Sequence, residues 1–356
     1  MSKYPIYLDY NATTPCDPQV LETMLPFFST HFGNAASKGH SYGWFAEEAV
    51  AQAREQVADL IGADSSEIIF TSGATESINL AIRGIAEKHA TKGRHIITVA
   101  TEHKAVLDVC EYLDSSGYDI TILPVDQFGM IDLPQLQASI QKDTILIAAM
   151  YANNETGLIH PVAAIGSIAK QHGIPFFCDA TQAVGKFPID VIQDGIGMMA
   201  FSAHKMYGPK GVGALYVRKK DPKIDIAPLF YGGGHERKLR SGTLNVPGIV
   251  GLGKAAQVCQ TLMESEAKRL SELRDFFWHE LISIQGVEWN GQIEQSLSHV
   301  ANICFDIEGG DKLIKMISKH VSVSSGSACT SASVEPSHVL KAMGLSDAKA
   351  HSSIRF

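Results

Sequence analysis

The chain has no excess of basic residues, no closely spaced cysteines and no long uncharged apolar run, and each absence removes a class of protein. Thirty Lys+Arg stand against 38 Asp+Glu, a formal charge of -8, so there is no global positive field to hold a nucleic-acid backbone by counterion release. The six cysteines, Cys16, Cys110, Cys178, Cys259, Cys304 and Cys329, lie far apart, with no CxxC and no Cys/His set at zinc-finger spacing. That argues against a disulfide framework or a structural metal and fits a reducing compartment. MSKYPIYLDY at the N-terminus lacks the apolar stretch of roughly 7–15 residues that a signal peptide needs, and nowhere do about 18 uncharged apolar residues follow one another. There is no internal repeat, no low-complexity tract and no long flexible linker. The expectation is a soluble, cytoplasmic protein with no metal, no direct nucleic-acid partner and no membrane.

What is present points to an α/β protein. The 356 residues, 45% of them hydrophobic and 19% charged, suffice for more than one core. From about residue 45 to 220, short apolar runs alternate with amphipathic stretches, the alternation of an α/β domain. SEIIFTSGA reads as a strand entering a turn, TESINLAIRGIAEKHA as a helix, RHIITVA as a strand and KAVLDVCEYLDSSG as a helix. YDITILPV, DTILIAAMYAN, GIPFFCDA, GMMAFSA and GVGALYVR follow as strands, with PVAAIGSIAKQHG a helix among them. Runs this continuously apolar suit strands covered on both faces. A long charged helix is expected over about 251–285, followed by VEWNG, HVANICFDIEG and a helical DKLIKMISKH. The expected domains are an N-terminal arm (1–15), a large domain (16–255) and a smaller C-terminal α+β domain (256–356). The first forty residues read as loop-rich. The end, SSIRF, carries no capping signal, so a truncated chain is expected, with the penultimate Arg355 free to fray.

Four segments carry residues suited to chemistry. In FSAHKMYGPKGVGALYV, Lys205 follows an apolar strand, where partial desolvation lowers an amine's pKa and makes it a Schiff-base candidate; an isolated lysine is more often a surface loop residue. In IPFFCDATQAVG, Asp179 ends a strand, at the edge where open α/β sheets bind ligands. A carboxylate there can keep a pyridine nitrogen protonated, although a helix cap would use the same residue type. In IIFTSGATESINLAI, a strand meets a helix at Ala74, Thr75 and Glu76, and free N–H groups at such a start, with the Ser72 and Thr75 hydroxyls, form a phosphate cup. SGATE is not GxxxxGKS, so a nucleotide P-loop is not supported. His103 follows another strand, where an imidazole can stack on a planar cofactor or move protons. Together the four segments read as a pyridoxal phosphate site.

The segments SGATESINLAI, TEHKAV, NNETGLIHPV, CDATQAVGK, SAHKMYGPKGVGALYVR, GGGHERKLRSGTLNVPGIVG and SSGSACTSASVEPSHVL, in that order, resemble the cysteine desulfurases of the NifS/IscS kind, and the resemblance runs from YLDYNATTP to the last residue. It implies a fold-type I pyridoxal 5'-phosphate enzyme, a large mixed-sheet α/β domain plus a smaller one, that acts as a homodimer on L-cysteine. It implies that Lys205 carries the cofactor and moves the substrate Cα proton, that Asp179 pairs with the pyridine nitrogen, and that Gln182 bonds the ring hydroxyl. His103 would stack on the ring, while Ala74, Thr75, Ser202 and His204 would hold the phosphate. Thr243 would reach the partner subunit's phosphate, and Asn154 and Arg355 match the positions associated with cofactor and substrate carboxylate. Cys329, in a loop of small residues, would take the sulfur as a persulfide for iron–sulfur scaffolds or tRNA-thiolation carriers. A selenocysteine lyase or an aminotransferase of the same fold, and a non-catalytic sulfur-machinery scaffold, are the alternatives.

Overall fold

The computed structural model describes residues 4–307, 309–325 and 335–356. Its strands in chain order are β1 (Ile6–Tyr7), β2 (Ile68–Thr71), β3 (His95–Val99), β4 (Asp119–Leu123), β5 (Thr144–Ala148), β6 (Phe176–Asp179), β7 (Met198–Ser202), β8 (Gly213–Val217), β9 (Val287–Trp289), β10 (Asn302–Phe305), β11 (Val321–Ser322) and β12 (Ser353–Arg355). The helices are α1 (Pro18–Met24), α2 (Pro26–Ser29), α3 (Ser41–Ile61), α4 (Ala74–His89), α5 (Lys104–Ser115), α6 (Leu133–Ala138), α7 (Val162–Gln171), α8 (Val246–Leu281), α9 (Leu313–Ile317), α10 (His338–Ala342) and α11 (Asp347–His351).

Seven strands form one sheet in the order β2-β8-β7-β6-β5-β3-β4. Strands β3 to β7 are parallel, and β8 runs against both β7 and β2. Strand β2 therefore points the same way as β7, and the C-terminal ends of β2, β3, β5, β6 and β7 open on one edge. Successive side chains leave a strand on opposite faces, and here both faces are apolar. Ile68 and Phe70 of β2 join Met199 and Phe201 of β7 in the core beneath α3, α7 and α8, whereas Ile69, Met198 and Ala200 pack with α4 and α5. Each large apolar side chain buried in this way contributes about 1.5–3 kcal/mol. This is why the strand segments read as continuous apolar runs.

Helix α3 buries Ala46, Val50, Ala53, Val57 and Ile61 along one stripe and ends at Gly62, whose φ of +68° is the left-handed conformation that glycine adopts without strain. Helix α8 packs Ile249, Leu252 and Ala256 on the large sheet, and near its far end Phe277, Trp278 and Leu281 pack on the three-stranded sheet β12-β10-β9. It starts earlier than the charged texture suggests. The Asn245 side chain accepts the Gly248 N–H at 3.1 Å and a proline occupies the first turn, so the helix opens at Val246 and closes at Leu281.

The loop-rich first forty residues carry two short helices: Asp17 caps α1 by accepting the Gln19 N–H at 2.8 Å, and prolines occupy the first turns of α1 and α2. One expectation is corrected. SSIRF is not a loose end, because β12 pairs with β10, Arg355 opposite Asn302, and Arg355 is 1% exposed. Three residues are too few to display a strand's alternation, so the pairing leaves no mark in the local sequence.

Candidate active site

A cavity of about 520 Å³ opens at the C-terminal edge of the large sheet. Topology alone delivers its lining. Strand β7 runs into a single 3-10 turn, Ala203–Lys205, that sets Lys205 over the edge; β6 ends on Asp179, β3 leads through a turn to His103, β5 leads to Asn154, and β2 passes through Ser72 and Gly73 into α4. Lys205, Asp179, His103, Asn154, Gln182, Ala74, Thr75, Ser202, His204 and Arg355 all line this one cavity.

Hydrogen bonds set the orientation of these groups. The Lys205 Nζ donates to the backbone carbonyls of Asn11 and, at 2.9 Å, of Ala12. Gln182 Nε2 donates to the same Asn11 carbonyl at 3.1 Å. Asp179 Oδ1 accepts the Thr181 N–H at 3.0 Å and the Thr181 hydroxyl; the capping role anticipated for this residue type thus occupies one carboxylate oxygen and leaves the other uncommitted among the described residues. His103 caps α5, its Nδ1 accepting the Ala105 N–H at 3.1 Å, which puts the proton of the neutral ring on Nε2. Burial holds its pKa below the ordinary value against the pull of Asp179, with Lys205 adding to the depression. Burial, then the Lys205 and Lys210 charges, push His204 down to about 4. Both imidazoles are therefore neutral at neutral pH.

Arg355 is held by two partners: Nη1 donates to the Asn154 carbonyl at 2.9 Å and Nη2 to Asp9 Oδ1 at 2.6 Å. Its Nε has no partner among the described residues. A buried guanidinium with donor capacity left over, in a cavity wall, suits a carboxylate ligand. Thr243 is exposed and does not line the cavity. Cys329 lies outside the described residues.

Residues 6–356 match the family described as Aminotransferase class-V. The chain belongs to this family. It is similar to the cysteine desulfurase IscS of Anaeromyxobacter dehalogenans, 53% identical over 355 residues that cover 99% of this chain and 87% of that one. It is equally similar to the IscS of Pectobacterium atrosepticum, 53% identical over 99% of this chain and 88% of the relative. Among solved structures, a NifS-like protein superposes with a TM-score of 0.90 at 38% identity, covering 99% of this chain and 93% of that one. SspA in complex with cysteine superposes with a TM-score of 0.88 at 40% identity, covering 98% and 97%.

Class-V aminotransferase-family enzymes work with pyridoxal 5'-phosphate, and the described residues fit that group. The first N–H groups of α4 have no intrahelical partner, and Gly73, with φ +154° and no side-chain cap, brings the chain into that helix where a Cβ would stand 3.7 Å from Ser202 Oγ. The side-chain oxygens of Asn11 and Asn154 are buried without partners among the described residues. A helix start with free donors for a phosphate, an uncommitted carboxylate oxygen and a lysine, all lining one cavity, match a phosphorylated pyridine aldehyde.

Sequence reasoning missed the N-terminal segment as part of this site. Asn11, 4% exposed, supplies the carbonyl that meets both Lys205 and Gln182, and its Nδ2 donates to the Asn154 carbonyl at 3.1 Å. Asp9 supplies the counter-charge of Arg355. The one available signal was polar Asp and Asn set among the aromatics of YLDYNATTP, and nothing local says where that loop lies.

Proposed function

We propose that this class-V aminotransferase-family enzyme is a cysteine desulfurase, converting L-cysteine to L-alanine while its sulfur passes to the Cys329 thiol as a persulfide. The reaction balances as L-cysteine plus enzyme thiol giving L-alanine plus enzyme persulfide. The observation that carries the reading is the convergence of Lys205, Asp179, His103 and Arg355 on one cavity, in a chain 53% identical to named cysteine desulfurases over 99% of its length.

Pyridoxal phosphate, when bound, supplies the electron sink that loosens the substrate's Cα proton and its C–S bond. Ala74, Thr75, Ser202 and His204 would hold its phosphate, Asp179 would pair with the pyridine nitrogen, Gln182 would bond the ring hydroxyl and His103 would stack on the ring. Lys205 would hold the cofactor and move the Cα proton. Arg355, with Asn154 beside it, clamps the substrate carboxylate. His103, neutral and protonated on Nε2, is suited to moving protons on the substrate amine or thiol.

The exposed Leu25, Phe28, Phe32 and Trp44 support a homodimer in which Thr243 reaches the partner subunit's phosphate. Among the described residues no helix is long and apolar enough to cross a membrane; the reading places the enzyme in the cytoplasm, passing sulfur to iron–sulfur scaffold proteins and tRNA-thiolation carriers.

The test is to incubate the purified protein with L-cysteine and a thiol reductant and to quantify alanine and sulfide beside Lys205→Ala and Cys329→Ala. Equal alanine and sulfide, lost in both variants, is the expected result. A cofactor-loaded protein that makes neither product overturns the reading.

A further inference from the structure

We infer that Glu102 is a positioning residue of the cofactor site, acting as an uncharged carboxylic acid that braces the turn carrying His103 against the turn carrying Asn154. The inference rests on the pyridoxal phosphate reading above. Glu102 immediately precedes His103 and is 1% exposed. Its Oε1 accepts the Met150 N–H at 2.5 Å, and Met150 lines the cavity. A second bond crosses in parallel, Asn153 Nδ2 donating to the Thr101 carbonyl at 3.0 Å. The turn after β3 and the turn after β5 are thereby joined at two points, both just ahead of His103 and Asn154 in the chain.

The chemistry around the carboxyl decides its charge. Oε2 is buried with no partner among the described residues, and no described cation pairs with the group. The groups that sense it are Asp179 at the end of β6, Cys178 beside it and Cys110 on α5, while His338 of α10 donates through Nε2 to the Glu102 backbone carbonyl at 2.9 Å. An ionised carboxylate in that position would bear a desolvation cost that no described cation offsets. It would also set a second negative charge near Asp179, whose single charge is what the pyridine nitrogen needs. Burial first, then the Asp179 charge, hold the Glu102 carboxyl well above the usual carboxylate range, and the Met150 N–H offsets only part of this. As a neutral acid it keeps the brace without disturbing that charge.

The experiment compares the wild-type holoenzyme with Glu102→Gln and Glu102→Ala, reading the dissociation constant for pyridoxal phosphate and the cofactor's visible absorbance from pH 6 to 8. Glu102→Gln keeps the acceptor oxygen and never ionises, so it is expected to bind within about twofold of wild type with the same absorbance across the range. Glu102→Ala leaves the Met150 N–H unmet and is expected to bind ~10-fold or more weakly. Glutamine binding as weakly as alanine, alanine binding like wild type, or a transition in the wild-type absorbance that Glu102→Gln lacks would each overturn the inference. Should Glu102→Ala fail to fold, the infrared spectrum of the wild type at neutral pH decides: a carboxylic-acid carbonyl band absent from Glu102→Gln supports the neutral acid, and its absence from the wild type overturns it. A wild-type protein that binds no pyridoxal phosphate refutes the cofactor reading instead.

Discussion

Lys205 and Asn11 are joined by a hydrogen bond from the Lys205 ammonium to the Asn11 backbone carbonyl, across 194 positions of sequence. The Ala12 carbonyl accepts a second bond from the same nitrogen, and Gln182 donates to the same Asn11 oxygen. The N-terminal segment thus forms a wall of the site, and its backbone sets where the Lys205 nitrogen rests.

If Lys205 is the residue that carries the cofactor, Lys205→Ala leaves the phosphate cup and Asp179 in place but removes the covalent hold. After borohydride treatment and denaturation, mass spectrometry should find the cofactor on the wild-type chain and not on Lys205→Ala. Retention of the reduced adduct by the variant would move the assignment to another lysine.

Asp179→Asn keeps an oxygen able to accept the Thr181 N–H, so the turn after β6 should persist. The negative charge proposed to face the cofactor nitrogen is lost. The expected outcome is a thermal transition close to wild type with kcat for alanine formation down ~100-fold or more, since electrostatic groups aimed at developing charge carry losses of this size. A kcat within a few-fold of wild type would remove Asp179 from the mechanism.

Arg355 bridges Asn154 and Asp9 with two of its nitrogens, and the ion pair is almost wholly buried, with side-chain exposures of 2% and 15%. Lysine keeps the charge but not the planar fork. Arg355→Lys is therefore expected to raise KM for L-cysteine ~10-fold, with a smaller change in kcat, and to cost about 1–3 kcal/mol in urea unfolding. An unchanged KM would exclude this guanidinium from substrate binding.

His160 is 3% exposed, and neither ring nitrogen has a partner among the described residues. Burial pushes its pKa down from 6.5 to about 4. Because the folded value lies below the unfolded one, the unfolded chain takes up the proton first. The stability contribution is complete above pH 6.5 and is lost as pH falls toward about 4, at roughly 1.4 kcal/mol per pH unit. Going from pH 7 to 5 should cost the wild type about 2 kcal/mol more than it costs His160→Leu, as measured by urea unfolding at both values. Parallel losses in the two proteins would show that His160 does not titrate on unfolding.

The sequence by itself determined the strands of the large sheet and the chemistry at their ends. FFCD, MMAFS and HIITV are apolar on both faces, so each could satisfy burial in one way only, between two helical layers, and Asp179, His103 and Lys205 follow those runs directly. Helix α4 was legible for the same reason, its apolar period being a local property of sixteen residues. Only the tertiary structure decided that YLDYNATTP closes over Lys205, because the acceptors there are backbone carbonyls, which every residue has and no residue type announces. It also decided that Ser353–Arg355 is a strand: three residues carry no period, and their conformation comes from the ladder to β10 and from Asp9, 346 positions away. The neutral state of Glu102 belongs to this second class as well, since a glutamate's charge is set by the dielectric and the partners around it, and those are supplied by β5, β6 and α5 after they pack.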